Sequence, residues 1–283
     1  MSRWRIFVIL GRVSVLPTVW SNCLAGWWLG GGATAGKLPL VLIGATCLHL
    51  GGMFLNDAFD GDFGRLHRRA RPIPSGAISR TTVRGWGLAS LAVGALCLFV
   101  TGTATGFLGL ALALCLLAYS AVHKLITFSP VLLGFCRLLV YLVAASAGAD
   151  GVTGRAAWCG LAVAAYVQGV GFIARRENVR GAVSLWLLPL LGVPILMACI
   201  IDAGAYREAG LALSAVVALW SIRSLRPVLG AGGGHIRRAV SGLLAGIVFV
   251  DLLAVADAPR AFCAVFLLLF GAVLAVQRFV PGA

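Results

Sequence analysis

The chain has 283 residues, 60% of them hydrophobic and 11% charged, with a mean hydropathy of +1.00 and a formal net charge of +14. Soluble domains carry about 25% charged residues, so a globular domain with a large core is excluded and an integral membrane protein is indicated. The positive balance does not call for nucleic acid, because the basic residues segregate by membrane side instead of gathering in one patch.

Taken in chain order, ten apolar stretches approach the roughly 20 residues that cross a bilayer. They lie at 11–31, 38–58, 83–102, 104–122, 131–149, 156–174, 183–202, 208–222, 237–256 and 260–279. The runs are too long for barrel strands and lack period-two alternation, so the expected fold is all-α: a polytopic helical bundle forming a single membrane domain over residues 1–283. Very tight turns are expected near 103 and 258, and the first stretch, which contains Arg12, is expected to begin late or to lie partly in the interface. It is too long and too polar for a cleaved signal peptide and is expected to be retained. Glycines such as Gly26, Gly30, Gly51 and Gly52 permit close helix approach.

With the N-terminus inside, the inner segments hold 17 of the 23 Lys and Arg residues, from Arg3 and Arg5 through Arg65, Arg80, Arg175, Arg237 and Arg278. The outer segments hold four (Lys37, Arg155, Arg207, Arg260), and Arg12 and Arg137 fall within spans. This asymmetry orients the chain with its N-terminus and the loops after spans two and six in the cytoplasm, and its basic inner face suits anionic membrane lipid. The eight cysteines are scattered singly without C-x-x-C spacing and are expected to be apolar fillers. The glycine-rich 230–234 lacks the Lys-Ser/Thr of a phosphate loop and is expected to be a connection.

Three of the nine acidic residues fall within six positions, in Asn56-Asp57-Ala58-Phe59-Asp60-Gly61-Asp62, at the inner end of the second span. Carboxylates are expensive there and usually functional. On a helix continued through residue 60, Asn56, Asp57 and Asp60 share one face. Oxygen donors grouped on one side suit Mg²⁺, which prefers a few carboxylates completed by waters and substrate phosphates. Arginines follow at once, and the planar guanidinium suits phosphate. Pro72 and Pro74 stiffen the loop carrying Arg71, and Ser75-Gly76 offers a turn into the next helix. Arg137 lies mid-span and should meet either a diphosphate or a structural partner, and Asp251, also within a span, is expected to be structural. His49, His123 and His235 show no metal-ligand spacing.

The run Asn56-Asp57-x-x-Asp60 followed by Arg68-x-x-Arg71-Pro72-x-Pro74-Ser75-Gly76 resembles the UbiA superfamily of membrane prenyltransferases. Looser matches are Leu16-Pro17-Thr18 with Asn22, Tyr119-Ser120 with Lys124, and Gly134 with Arg137. Ala174-Arg175-Arg176-Glu177 is similar to the EboC-type branch. The resemblance implies a nine-helix bundle, against ten stretches counted here, around a lipid-open cavity. It implies an enzyme that transfers an isoprenyl group from a Mg²⁺-bound isoprenyl diphosphate to a small acceptor. Asp57 and Asp60 would be catalytic. Asn56, Asp57, Asp60 and Glu177 would hold Mg²⁺. Asn22, Arg68, Arg71, Lys124, Arg137, Arg175 and Arg176 would bind substrate. No nucleic acid and no obligate protein partner are expected, and a bacterial inner membrane is the expected setting.

The chain departs from the family pattern twice. Gly64 stands where a further aspartate is usual, and the second acidic motif has thinned to Glu177-Asn178. Either these two hold a second Mg²⁺, or Arg175 or Arg176 takes that metal's place. The departures keep open a non-catalytic descendant that binds or moves an isoprenoid lipid. Asp60-Gly61 with Arg65 is also slightly similar to the CDP-alcohol phosphotransferases, whose downstream acidic motif is absent.

Overall fold

A computed structural model describes residues 3–61, 72–123, 126–175, 188–201, 204–230 and 236–279. Every element among them is helical: α1 (Arg3–Leu10), a 3₁₀ turn (Val13–Val15), α2 (Leu16–Leu29), α3 (Leu38–Phe59), α4 (Arg80–Thr101), α5 (Thr103–Val122), α6 (Ser129–Ser146), α7 (Gly154–Arg175), α8 (Leu188–Ile200), α9 (Gly204–Gly230), α10 (Ile236–Ala254) and α11 (Arg260–Gln277). Helices α2 to α11 fall on the ten apolar stretches in order.

By length and composition, seven helices can cross a membrane, or up to eight if the bent pair α1–α2 forms one span. Two helices account for the shortfall from nine or ten. Helix α8 is described over 13 residues, and α10 carries Arg237, Arg238 and Asp251 within its 19 residues. The bundle surface is covered with apolar side chains such as Leu96, Leu114, Leu219 and Leu268, as a hydrocarbon solvent requires.

The first stretch is broken at its arginine, where only a late start or a partly interfacial position was expected. Helices α1 and α2 meet at 55°, and Arg12 sits at the corner in the left-handed region, with φ 44 and ψ 50. That conformation costs a non-glycine residue about 1–2 kcal/mol and persists where packing enforces it. Gly11 supplies the packing: a Cβ there would lie 2.7 Å from Leu50 Cδ2 on α3. Pro17 then occupies the first turn of α2, where a missing N–H is harmless.

Close helix contacts run along glycine lines. A Cβ on Gly51 of α3 would approach Gly87 O of α4 to 2.9 Å, and one on Gly94 would approach Gly44 O to 2.9 Å. Leu48, Leu55, Leu91 and Leu98, all buried, fill the spaces between. Helices α4 and α5 are joined by Gly102 alone, the tight turn expected there. At the opposite end from Asp60, Gly30 of α2 approaches Gly148 beyond α6, and Asp150 N donates to Gly30 O at 2.8 Å.

Two large buried apolar clusters result, one built chiefly on α2 to α6 and the other on α7 to α11, with α2 and α6 contributing to both, and a smaller third joins Ile6 and Leu10 of α1 to Phe54 and Ala58 of α3. The Tyr166 hydroxyl donates to Leu243 O at 3.0 Å and ties α7 to α10 inside the second.

Gly51→Ala is expected to lower stability by about 1–3 kcal/mol through overpacking, read as a fall in melting temperature in detergent. Gly85→Ala, at a position with nothing within 4 Å, should leave the melting temperature unchanged or slightly raised.

Candidate functional site

Helix α3 ends at Phe59, and Asp60 caps it with its N–H on Asn56 O. The expected continuation through residue 60 therefore holds, and Asn56, Asp57 and Asp60 share one face. Asn56 and Asp57 are buried. The Asn56 Oδ1 atom is buried without a hydrogen-bond partner, an arrangement that costs roughly 1–3 kcal/mol unless something else occupies it.

The chain's alternating course brings the ends of other helices to this point. His123, at the end of α5, places Nε2 3.2 Å from Asp60 Oδ1, and the Tyr119 ring stacks on it at 5.3 Å. Arg175, the last residue of α7, donates from Nη1 to His123 O at 3.2 Å, Ile126 O at 2.7 Å and Ser129 Oγ at 2.6 Å. It thereby locks the turn between α5 and α6 against α7. His123 escaped sequence reasoning as a site residue: 63 positions separate it from Asp60, and only the adjacent Tyr119-Ser120 motif marks its neighbourhood.

The proline segment forms the expected turn. Ala77 N donates to Pro72 O at 3.1 Å, and Gly76 N to Ile73 O at 3.1 Å with Gly76 at φ 74. Ile73 is buried against Phe54, Ala58 and Val83, pinning this turn beneath the end of α3. Ser79 then caps α4, accepting from Thr82 N at 3.0 Å.

A second polar group lies deeper. Asp251 of α10 is fully buried and accepts from Ser21 Oγ, from Asn22 Nδ2 at 2.8 Å on each oxygen, and from the Tyr141 hydroxyl at 2.6 Å. Asn22 Oδ1 in turn accepts from Arg137 Nη1 at 2.7 Å, and Arg137 Nη2 donates to Thr18 Oγ1 at 3.1 Å. The structure thus joins Asn22 and Arg137 to each other and to Asp251, so Arg137 has the structural partner that its mid-span position demanded. Two further thiols that looked isolated in sequence also meet: Cys136 Sγ lies 3.3 Å from Cys115 Sγ, both as free cysteines.

Arg68, Arg71, Lys124, Arg176 and Glu177, with Asp62 and Gly64, lie outside the described residues. Among the described residues no three His, Cys, Asp or Glu side chains converge as a metal cage. The donor set of two carboxylates and one orphaned amide oxygen suits a hard cation that takes its remaining ligands from water and phosphate.

An acidic half-site at one end of a helical membrane bundle, backed by a proline turn, is what the fold presents. The family profile described as the UbiA prenyltransferase family matches residues 14–281, and the chain belongs to that family. The match runs well past the first 180 residues that carry the sequence motifs.

Among solved structures, a UbiA homolog from Archaeoglobus fulgidus bound to GPP and Mg²⁺ is similar at 14% identity, covering 94% of this chain and 99% of its own, with a TM-score of 0.64. A digeranylgeranylglyceryl phosphate synthase is similar at 16% identity over 97% of this chain and 100% of its own, with a TM-score of 0.60. The apo UbiA homolog from Aeropyrum pernix K1 is similar at 19% identity over 98% of this chain and 100% of its own, with a TM-score of 0.53. At these identities the likeness shows a shared fold. No curated protein matches the chain significantly.

Asp251→Ala would leave Arg137 buried without a countercharge in its network. The expected loss is about 3–5 kcal/mol, seen as a large fall in melting temperature. Asp251→Ala combined with Arg137→Met should recover part of that loss, and additivity of the two would argue against coupling.

Proposed function

We propose that this protein transfers an isoprenyl group from a polyprenyl diphosphate to a small acceptor in the membrane and releases diphosphate. The observation that carries the reading is the single face shared by buried Asn56 and Asp57 and half-buried Asp60, with the Asn56 amide oxygen left unpaired, in a chain of the UbiA prenyltransferase family. Relatives of the same fold bound to GPP and Mg²⁺, or to DMAPP and Mg²⁺, support Mg²⁺ as the cofactor.

Asn56, Asp57 and Asp60 would hold the metal. When bound, it would supply positive charge to the departing diphosphate. Arg68 and Arg71, and Lys124, Arg175 and Arg176, would orient and neutralise the phosphates as charge develops there. Nη1 of Arg175 is already committed to the α5–α6 turn, so its contribution would come from the rest of the guanidinium. Glu177 would be an outlying ligand. Asn22 and Arg137 would act on the substrate from the Asp251 network. The allylic C–O bond would break with its electron pair going to diphosphate, and the acceptor would bond to the prenyl C1 and give up its proton to the departing diphosphate or to water.

The chain would work as one membrane domain over residues 1–283, with the site on the cytoplasmic side of a bacterial inner membrane, as the basic-residue asymmetry supports. The sequence from Ala174 to Glu177 supports the EboC-type branch.

Purified protein in nanodiscs should release diphosphate from geranylgeranyl diphosphate in the presence of Mg²⁺ and host lipids. Asp57→Ala and Asp60→Ala should each lower that release at least 100-fold, about 2.7 kcal/mol of barrier. Full activity in both variants would overturn the reading. Diphosphate binding without turnover would instead identify a non-catalytic isoprenoid-binding protein.

A further inference from the structure

Helix α1 lies against the end of the bundle that carries Asp60. Ile6 and Leu10, one turn apart, are buried with Phe54 and Ala58 of α3, Ile73 of the proline turn and Val83 of α4. The rest of α1 is open: Trp4 is 73% exposed, and Arg5 beside it is exposed as well. Phe7 links α1 to α4. Its ring stacks on Trp4 with centroids 6.2 Å apart and meets Trp86 edge-on, also at 6.2 Å. A helix of eight residues that meets α2 at 55° does not simply extend the span. One apolar side buried and the other carrying tryptophan and arginine is the pattern of a helix lying in the membrane interface.

The outward face of α4 marks the level of that interface. Thr81, Thr82 and Arg84 are exposed near its start, and Trp86 is 37% exposed. Beyond Trp86 the large exposed side chains are apolar, namely Leu88, Val93, Leu96 and Val100. A change from polar to hydrocarbon side chains within one turn puts Trp86 at the edge of the acyl region, where an indole keeps its ring apolar and its N–H wet. Through Phe7, Trp4 belongs to the same level. Arg84 stands two residues nearer the start of α4, about 3 Å further out, at the depth of lipid phosphates. Its guanidinium lies over the Phe59 ring, 5.7 Å from the centroid, and Phe59 is the residue before Asp60. Among the described residues neither Arg5 nor Arg84 forms an ion pair.

We propose that this face, Trp4 and Arg5 on α1 with Arg84 and Trp86 on α4, binds the headgroup of an anionic phospholipid in the leaflet at the Asp60 end. Charge selects the partner. Guanidinium groups at phosphate depth favour a lipid of net negative charge over a zwitterionic one, whose own cation competes for the phosphate. The tryptophans flank the headgroup from the acyl side. The contacts also give the lipid something to hold. A headgroup at Arg84 braces the arm that covers Phe59, and α1 presses on Phe54 and Ala58. Bound lipid thereby fastens the last turns of α3, which carry Asn56, Asp57 and Asp60. The binding does not depend on the prenyl-transfer reading.

The test uses the full-length protein in nanodiscs of phosphatidylcholine alone, or of phosphatidylcholine mixed with phosphatidylglycerol. Native mass spectrometry reads which lipid stays with the ejected protein, and amide hydrogen exchange reads α1. The wild type should retain phosphatidylglycerol in excess of its share of the bilayer, and α1 should exchange more slowly in the mixed membrane. Arg5→Gln and Arg84→Gln should each lower that excess about fivefold, the scale of one basic residue at an anionic surface. Arg5→Lys combined with Arg84→Lys keeps both charges and should keep most of the excess. Arg260→Gln removes an exposed charge at the opposite end of the bundle and should leave the excess unchanged. Equal retention of the two lipids by the wild type would overturn the proposal. So would an excess untouched by both glutamine variants, or one lost as fully in Arg260→Gln. Exchange of α1 that stays slow in the combined glutamine variant would show that protein packing alone holds the helix, and would overturn the bracing of α3.

Discussion

One carboxylate, Asp251, sits at full burial between α2, α6 and α10 and is held by four donated hydrogen bonds. An isolated ion at such depth costs several kcal/mol even after relaxation. It is tolerable here because Ser21, Asn22 and Tyr141 replace its water shell, and because Arg137 brings the opposite charge into the same network through Asn22. Each partner is fixed by the others. Asn22 spends its amide nitrogen on the acid and its amide oxygen on the base, so its orientation has no freedom left. Helices α2 and α6 also belong to both apolar clusters. The polar network therefore sets the registry of the helices that the two halves share.

Registry matters because the candidate site is assembled from helix ends. The C-terminal ends of α3, α5 and α7 meet at Asp60, His123 and Arg175, and a slip of one residue along α5 or α7 would carry those groups about 1.5 Å along and 100° around the axis. Glycine contacts hold α3 against α4 without side chains that could repack. The corner at Arg12 presses Gly11 onto Leu50 and Phe54 in the same region. Rigid packing outside the site is what allows a polar face to stay poised inside a bilayer.

The fold was largely legible in the sequence, since apolar length and charge placement are one-dimensional properties that a bilayer imposes directly. Each helix from α2 to α11 lies on a predicted stretch, the turn at Gly102 was visible in the spacing, and Arg12 marked the first stretch as irregular without showing the break. The carboxylate face was legible too, because three residues on two turns of one helix need no tertiary information. The remainder of the site was hidden because its partners are distant in the chain: His123 from Asp60, Asp251 from Asn22 by 229 positions. A lone acid or histidine in an apolar run announces that it has a partner without saying which. The unpaired atoms Asn56 Oδ1 and His49 Nε2 were beyond sequence altogether, since an unmet hydrogen bond is a property of surroundings and not of residue type.

The incompleteness of the acidic site has a consequence for how it would bind. Asn56, Asp57 and Asp60 offer at most a few oxygens to a cation that demands six in near-octahedral order, and Glu177 stands alone where the family usually has two carboxylates. Such a half-site holds Mg²⁺ weakly by itself. A diphosphate would supply the missing oxygens and bring the negative charge that the neighbouring arginines of the sequence would attract, so metal and substrate would each raise the other's affinity by the same factor. With one carboxylate fewer in the partner motif, more of the charge balance falls to arginine, whose fork grips phosphate without needing a metal between. An acidic face built in this way would favour a metal that arrives with its diphosphate over a free metal ion.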